Sequence, residues 1–175
     1  MNLFEIVYDG FKPFLDDEKK PLNVLEVSNL WFYLAATESS MRNEEIAYNI
    51  VQDPELREKL KDLKENIHKP MYDELIEFLT KEGVPLPKET PEKPIGNFKD
   101  LPDGAKLNDE EIANLTSYNL LLGINSASKG LTESIRADVG MMFAKFFIKK
   151  STYSLTIKQL LEKNGWLHTP PYYKS

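Results

Sequence analysis

Apolar residues recur every three or four positions along four separate stretches of this chain, a spacing that predicts four long amphipathic helices. After Asn23, the residues Val27, Leu30, Trp31, Leu34, Met41, Ile46 and Ile50 keep that spacing to about Gln52. Asp53-Pro54 then offers an N-cap and a proline at the first helical position, and Leu56, Leu60, Leu63, Ile67, Met71, Leu75 and Phe78 carry a second helix to Gly83. Pro70 falls inside this pattern. Its ring and missing N–H predict a kink near His68, with the Asn66 carbonyl released from its usual bond. A third helix follows Asn108 with Ile112, Leu115 and Leu122, and Gly130 to Thr132 predicts a tight turn into a fourth. Ile135, Val139, Met142, Phe146, Tyr153, Ile157 and Leu160 mark that last helix, and Gly165 closes it.

Pro85, Pro87, Pro91, Pro94 and Pro102 lie between the second and third helices, in a segment too proline-rich for helix and long for a loop. A helix of about 28 residues is roughly 42 Å long, and about 25 extended residues can span some 80 Å. The segment is therefore long enough to travel the length of a bundle. The halves on either side of it repeat each other. Leu22 to Tyr33 and Leu107 to Tyr118 share the pattern L-N-x-x-E-[VI]-[SA]-N-L-x-x-Y, and both halves end in a helix closed by glycine, at Gly83 and Gly165, with prolines beyond. A duplicated helical hairpin with a long crossover between helices 2 and 3 predicts an all-α, ferritin-like, up-down-down-up four-helix bundle. In this reading residues 1–175 form one domain: an N-terminal strap (1–21), hairpin 1 (23–83), the crossover (84–107), hairpin 2 (108–165) and a tail (166–175).

Composition narrows the chemistry. With 175 residues and 41% hydrophobic content the chain can bury a full core, and the lack of cysteine removes disulfides, thiolate metal sites and thiol nucleophiles. A net charge of −6 with no basic run argues against nucleic acid. No apolar stretch approaches the roughly 20 residues that span a bilayer, and Glu5 and Asp9 stand where a signal peptide would carry Lys or Arg. A cytoplasmic protein is expected. Phe4, Tyr8, Phe11 and Phe14 would form the aromatic edge of a strap lying on the bundle.

The N-L-W-x-x-Y opening of the first helix, K-E-G-V-P-L-P at 81–87 and N-G-W-L-H-T-P-P-Y at 164–172 resemble an uncharacterised ferritin-like family of spore-forming bacilli, related to spore coat protein F. The resemblance runs from about Leu22 onward and matches a single-domain member. It implies a helical bundle, a Bacillus-like source and association with the spore, and it carries no established reaction.

A ferritin-like bundle normally works through a carboxylate-bridged di-metal site, which needs a Glu from each of two helices and Glu-x-x-His from each of the other two. Half of that set is present: Glu38 on the first helix, and Glu65 with His68 as a literal Glu-x-x-His on the second. In the second half Gly123 takes the place of Glu38, and Phe147 and Lys150 take the places of Glu65 and His68, while Glu133-x-x-Arg136 offers a cation in place of a ligand. At most one divalent metal ion is expected, and no other cofactor. Glu26 and Glu111, each three residues after an Asn N-cap, read as capping-box acids. Asn29 with Tyr33, and Asn114 with Tyr118, are expected to form a polar bundle centre between the first and third helices.

No G-x-S-x-G, G-x-G-x-x-G or P-loop occurs, and Pro170-Pro171-Tyr172-Tyr173 reads as a tail whose tyrosines pack with Trp166 on the bundle end. These observations favour a non-catalytic structural or interaction protein, with protein partners or a homodimer, over a metal-binding or oxidase-type relative.

Overall fold

The computed structural model describes residues 3–12 and 20–173. Helix α1 (Leu3–Phe11) lies against α6, and the bundle proper consists of α2 (Val24–Ile50), α3 (Pro54–Asp62) continuing through a π-helical stretch (Leu63–His68) into α4 (Lys69–Lys81), α5 (Asp109–Glu133) and α6 (Ala137–Asn164). Among the described residues there is no strand. In the strap Tyr8 is exposed, whereas Phe14 and the side chains of Phe4 and Phe11 lie outside the described residues.

The helix boundaries follow the sequence signals. Asn23 accepts from the Glu26 N–H at 2.9 Å while Glu26 accepts from the Asn23 N–H at 3.0 Å, and Asn108 and Glu111 repeat the exchange at 2.8 Å in both directions. These are two complete capping boxes. The other ends also match. Gly83 and Gly165 adopt φ of 71° and 72°, and the following residues return hydrogen bonds, Val84 to Leu79 and Trp166 to Leu161. Only a residue without Cβ enters that left-handed region at no steric cost.

Neighbouring helices run antiparallel, as contacts between their opposite ends require. Asn29 near the start of α2 donates to Glu133 at the end of α5, and Asp109 at the start of α5 accepts from Gln52 and Asp53 just past α2. Lys163 near the end of α6 pairs with Glu55 at the start of α3, and Arg136 before α6 forms a two-pronged ion pair with Glu82 after α4.

Two expectations are corrected. Gly130 to Thr132 belong to α5, and the turn comes later, at Ser134–Arg136. Gly130 is small for another reason: a Cβ there would fall 2.6 Å from the Phe143 ring, so the missing side chain lets α5 and α6 approach. The second correction concerns Pro70. The irregularity expected near His68 takes the form of a π-helical stretch over Leu63–His68, in which the Lys69 N–H donates to the Lys64 carbonyl. Buried Leu56, Leu60 and Leu63 lead an apolar stripe whose four-three spacing continues through half-buried Ile67 and would then reach Pro70. The π turn inserts one extra residue, and the stripe resumes on Met71, Leu75 and Leu79.

The crossover runs along α2, which binds it through side chains, and ends in two short 3-10 turns, Phe98–Asp100 and Asp103–Ala105. Trp31 donates to the Pro85 carbonyl at 3.0 Å, Arg42 to the Thr90 carbonyl at 2.9 Å, and Asn49 to the Pro94 carbonyl at 2.9 Å. Glu38 accepts from the Thr90 N–H, Glu45 from the Lys93 N–H at 2.7 Å, and Asn49 from the Gly96 N–H at 2.9 Å.

Candidate functional site

The core is two apolar clusters with a polar layer between them. One cluster gathers Leu56, Leu60, Ile112, Leu120 and Ile157; the other holds Leu30, Leu34, Leu75, Phe143 and Phe146. The layer consists of Glu44 from α2, His68 from the π stretch and Lys150 from α6, which are 6%, 2% and 3% exposed. Burying three ionisable groups in one place is costly unless they compensate each other.

Each is held by its local structure. Glu44 lies on the α2 face of Leu30, Leu34, Thr37 and Met41, spaced alternately by four and three residues. Lys150 falls in an equally regular stripe of α6, Val139, Phe143, Phe146, Lys150, Tyr153, Ile157 and Leu160. Its stem crosses α5 at Gly123, where a Cβ would come within 2.7 Å of Nζ. The ammonium ends 4.8 Å from the centre of the Tyr33 ring, which itself stacks on Phe146 at 5.5 Å. A cation over an aromatic face gains from the ring quadrupole, more so when desolvated.

His68 Nδ1 lies 2.6 Å from Glu44 Oε1 but off the line of a hydrogen bond, and Glu44 Oε2 and His68 Nε2 are buried without a hydrogen-bond partner in the protein. Desolvation pushes the Glu44 carboxyl well above its ordinary range, opposed by the charge of Lys150. It pulls His68 well down, helped by Lys150, and lowers the Lys150 ammonium to about 8, opposed by Glu44. Burial thus favours the neutral form of all three. The Tyr33 hydroxyl is also pushed up by burial.

The residues expected at a metal site do not converge. Glu38 is buried, but its Oε1 accepts from the Thr90 N–H of the crossover. Glu65 is half exposed and pairs with Lys64 at 3.3 Å, while His68 is buried. The separation has a helical cause. In an α-helix residues three apart lie on one face, but a π turn holds more residues, so Glu65 and His68 diverge. Among the described residues no group of three or more His, Asp or Glu side chains is arranged to hold a metal ion. A divalent ion beside Glu44 and His68 would also meet the ammonium of Lys150, so the donor set does not fit a metal centre.

The expected polar centre between α2 and α5 is likewise dispersed. Asn29 donates to Glu133, and Asn114 to the Glu110 and Trp166 carbonyls, tying the tail down. Tyr33 is buried on aromatic rings, and Tyr118 is exposed. Trp166 is half-buried against the core, but Tyr172 and Tyr173 are more than nine-tenths exposed and do not pack as expected.

Glu44 and Lys150 were not among the expected site residues. The signal that finds them is their place in the regular four-three spacing of buried positions, where an ionisable side chain must enter the core.

Beside this layer, a cavity of about 150 Å³ opens between α2 and α5. Exposed Asn43, Ile46, Leu107 and Leu115 form its rim, and buried Glu44, Leu63, His68, Ile112, Thr116 and Leu120 line its depth.

Fold and site together define an all-helical bundle protein with three buried ionisable groups, Glu44, His68 and Lys150, at its centre. The chain belongs to the family described as "Protein of unknown function (DUF3231)", which it matches over residues 12–175. It is 33% identical over 157 residues to the "Uncharacterized protein YvdQ" of Bacillus subtilis strain 168, covering 88% of this chain and 90% of that one. The crystal structure of a "putative spore coat protein" from Bacillus halodurans C-125 is similar at a TM-score of 0.86 and 29% identity, covering 89% of this chain and 98% of that one. A conserved hypothetical protein from Mycobacterium tuberculosis shares the fold at a TM-score of 0.65 and 13% identity, covering 80% of this chain and all of that one. No helix among the described residues is long and apolar enough to cross a membrane.

Proposed function

We propose that this protein is a non-catalytic structural component that associates with the spore coat through protein contacts, on a bundle of ferritin-like up-down-down-up topology. The observation that carries the interaction reading is a row of apolar side chains on α5. Leu115, Tyr118, Leu121 and Leu122 are 46%, 57%, 50% and 47% exposed. Leu115, Tyr118 and Leu122 share one side of the helix by their three-four spacing, and contiguous exposed apolar surface marks sites of association. The spore reading rests on the similarity to the Bacillus halodurans protein over nearly its whole length. The topology is supported by the antiparallel end contacts of α2 with α5 and of α3–α4 with α6.

The test is to express the tagged chain in sporulating Bacillus subtilis and to fractionate purified spores, with a Tyr118→Ser, Leu122→Ser double variant alongside. Recovery of the wild type in the coat fraction, lost in a variant of unchanged helix content, is expected. Wild-type protein confined to the mother-cell lysate would sink the spore reading. Equal coat recovery of the variant would sink the role of α5.

A further inference from the structure

Every charged residue of α2 is buried. Glu26 holds the α5–α6 turn, Glu38, Arg42 and Glu45 reach the crossover, and Glu44 enters the core, each 8% exposed or less. The outward positions of the helix, Leu25, Phe32, Ala36, Ser39, Asn43 and Ile46, are uncharged. The adjoining α5 has no charged residue between Ile112 and Ser128 and turns Leu115, Tyr118 and Leu122 outward. Charges return only towards its ends, at Asp109, Glu110 and Glu111 and at Lys129 and Glu133. In a chain that is 29% charged, a two-helix face with an uncharged centre and a charged rim has the anatomy of an interface.

Size and charge limit what covers it. From Leu25 to Ile46 the face is about 30 Å long and about 20 Å, two helices, wide. That is roughly 600 Å², the share each partner gives to the smaller specific interfaces. The partner has to be uncharged over the same extent, because a charge buried there would go unpaired. The face itself meets that condition, and its relief is self-complementary. Phe32 stands out from it, 66% exposed, and about 21 Å further along α2 the cavity rimmed by Asn43, Ile46 and Leu115 sinks into it. The walls of this cavity are apolar at Ile46, Ala47, Ile112 and Leu115, and its volume of about 150 Å³ takes a benzene ring. In a two-fold pair, one knob and one hole on the same face serve both copies at once. We propose that two copies of this chain pair through the α2–α5 face about a two-fold axis near Ser39, midway between knob and hole, with Phe32 of each seated in the other's cavity. The pairing rests on the reading of α5 given above and names its partner. Leu122 lies level with Ser39, counting inwards from the Asn29–Glu133 and Gln52–Asp109 contacts, and meets its own copy near the axis.

The test uses the purified full chain in solution, so its failure leaves the coat-fraction result standing, and a failure of coat recovery leaves a measured dimer standing. Light scattering at about 100 μM, above the micromolar or tighter Kd of comparable interfaces, should give twice the 20.2 kDa of one chain, at low and high salt alike. Phe32→Ala removes both knobs of the pair and should weaken it about a hundredfold or more. Ala47→Phe fills the hole from its own wall and should weaken pairing too, although it adds apolar surface. Circular dichroism checks that both variants stay helical. The chain has no cysteine, so a single one reports proximity cleanly. With an added oxidant, Ser39→Cys should give a disulfide-linked dimer, whereas Leu155→Cys, equally exposed but on α6, should not. The proposal is overturned by a monomeric mass at every concentration, by undiminished pairing in folded Phe32→Ala and Ala47→Phe variants, or by equal cross-linking at positions 39 and 155.

Discussion

Glu26 and Asp109 each hold the turn that the other's helix leads into. Glu26, on α2, accepts from the backbone N–H groups of Ile135 and Arg136 at 2.9 and 2.7 Å, where α5 passes into α6. Asp109, on α5, accepts from those of Gln52 and Asp53, both at 2.8 Å, where α2 passes into α3. The two turns occupy corresponding places in the two hairpins, so each is clasped by an acid from the other hairpin. Each carboxylate meets the positive end of a helix.

The clasp separates two acids that the repeat makes look equal. Glu26 is 1% exposed and serves both its own capping box and the Ile135–Arg136 turn; Glu111 is exposed and serves its capping box alone. Glu111→Ala should cost about 1 kcal/mol, an ordinary cap loss. Glu26→Ala should cost about 3 kcal/mol, because buried N–H groups are also left without acceptors. Urea denaturation of both variants measures the difference, and equal losses would refute the added role of Glu26.

Lys150 sets a pH dependence. Its pKa is lowered to about 8 in the fold from the ordinary 10.5. The unfolded chain therefore binds the extra proton between those values, and stability from this group is full above 10.5 and is lost as pH falls through 8. At 1.36 kcal/mol per unit the effect amounts to about 3 kcal/mol. His68, also lowered, acts in the same sense below its ordinary value of 6.5, whereas the raised Glu44 acts oppositely, losing stability as pH rises above 4.5. The expected result is that wild-type stability gains on Lys150→Met as pH rises from 8 to 10, measured as the difference in urea-unfolding free energy. A constant difference would show that Lys150 titrates normally.

The fold's outline is legible in the sequence because caps and stripes are local. The Asn23 and Asn108 capping boxes, the Asp53-Pro54 start and the left-handed glycines at 83 and 165 need only a few neighbouring residues, and all appear where their spacing places them. What depends on a second helix is not legible that way. Gly130 looks like a turn glycine until Phe143 is seen against it, and Glu38 looks like a metal ligand until Thr90 arrives from the crossover. The π turn is an intermediate case, since the one-residue slip of the stripe between Leu63 and Met71 is written in the chain. Only α-helical geometry would bring Glu65 and His68 onto one face, and the π stretch over Leu63–His68 replaces it there.

Gly123 and Gly130 both make room on α5, but for different neighbours. Alanine gains about 1 kcal/mol over glycine in a helix. At 130 the added carbon would meet a buried ring at 2.6 Å, an overpacking that costs about 1–3 kcal/mol, so Gly130→Ala should be destabilising by up to about 2 kcal/mol net of that gain. At 123 the nearest atom is the movable tip of Lys150, so Gly123→Ala should cost less. Thermal melts of the pair give the order, and a more damaging change at 123 would mean that the Lys150 ammonium cannot shift.

The crossover should loosen when its anchors on α2 are removed. Glu38→Ala with Glu45→Ala deletes the acceptors of the Thr90 and Lys93 N–H groups. Hydrogen exchange at those two amides should speed up by about an order of magnitude or more, as the loss of even 1.4 kcal/mol of local protection implies. Unchanged exchange would mean that the segment is held by something other than these side chains.

The side chains of α2 grip the crossover by its peptide groups: the carbonyls of Pro85, Thr90 and Pro94 and the N–H groups of Thr90, Lys93 and Gly96. Every residue supplies a carbonyl, and every residue but proline an N–H. Along this part of its length the chain recognises itself in a script that spells no particular amino acid. The instructions for laying residues 85–96 in place are written largely on the helix they follow, whereas the crossover's ends are spelled out by its own Val84, Phe98 and Leu101 against the core.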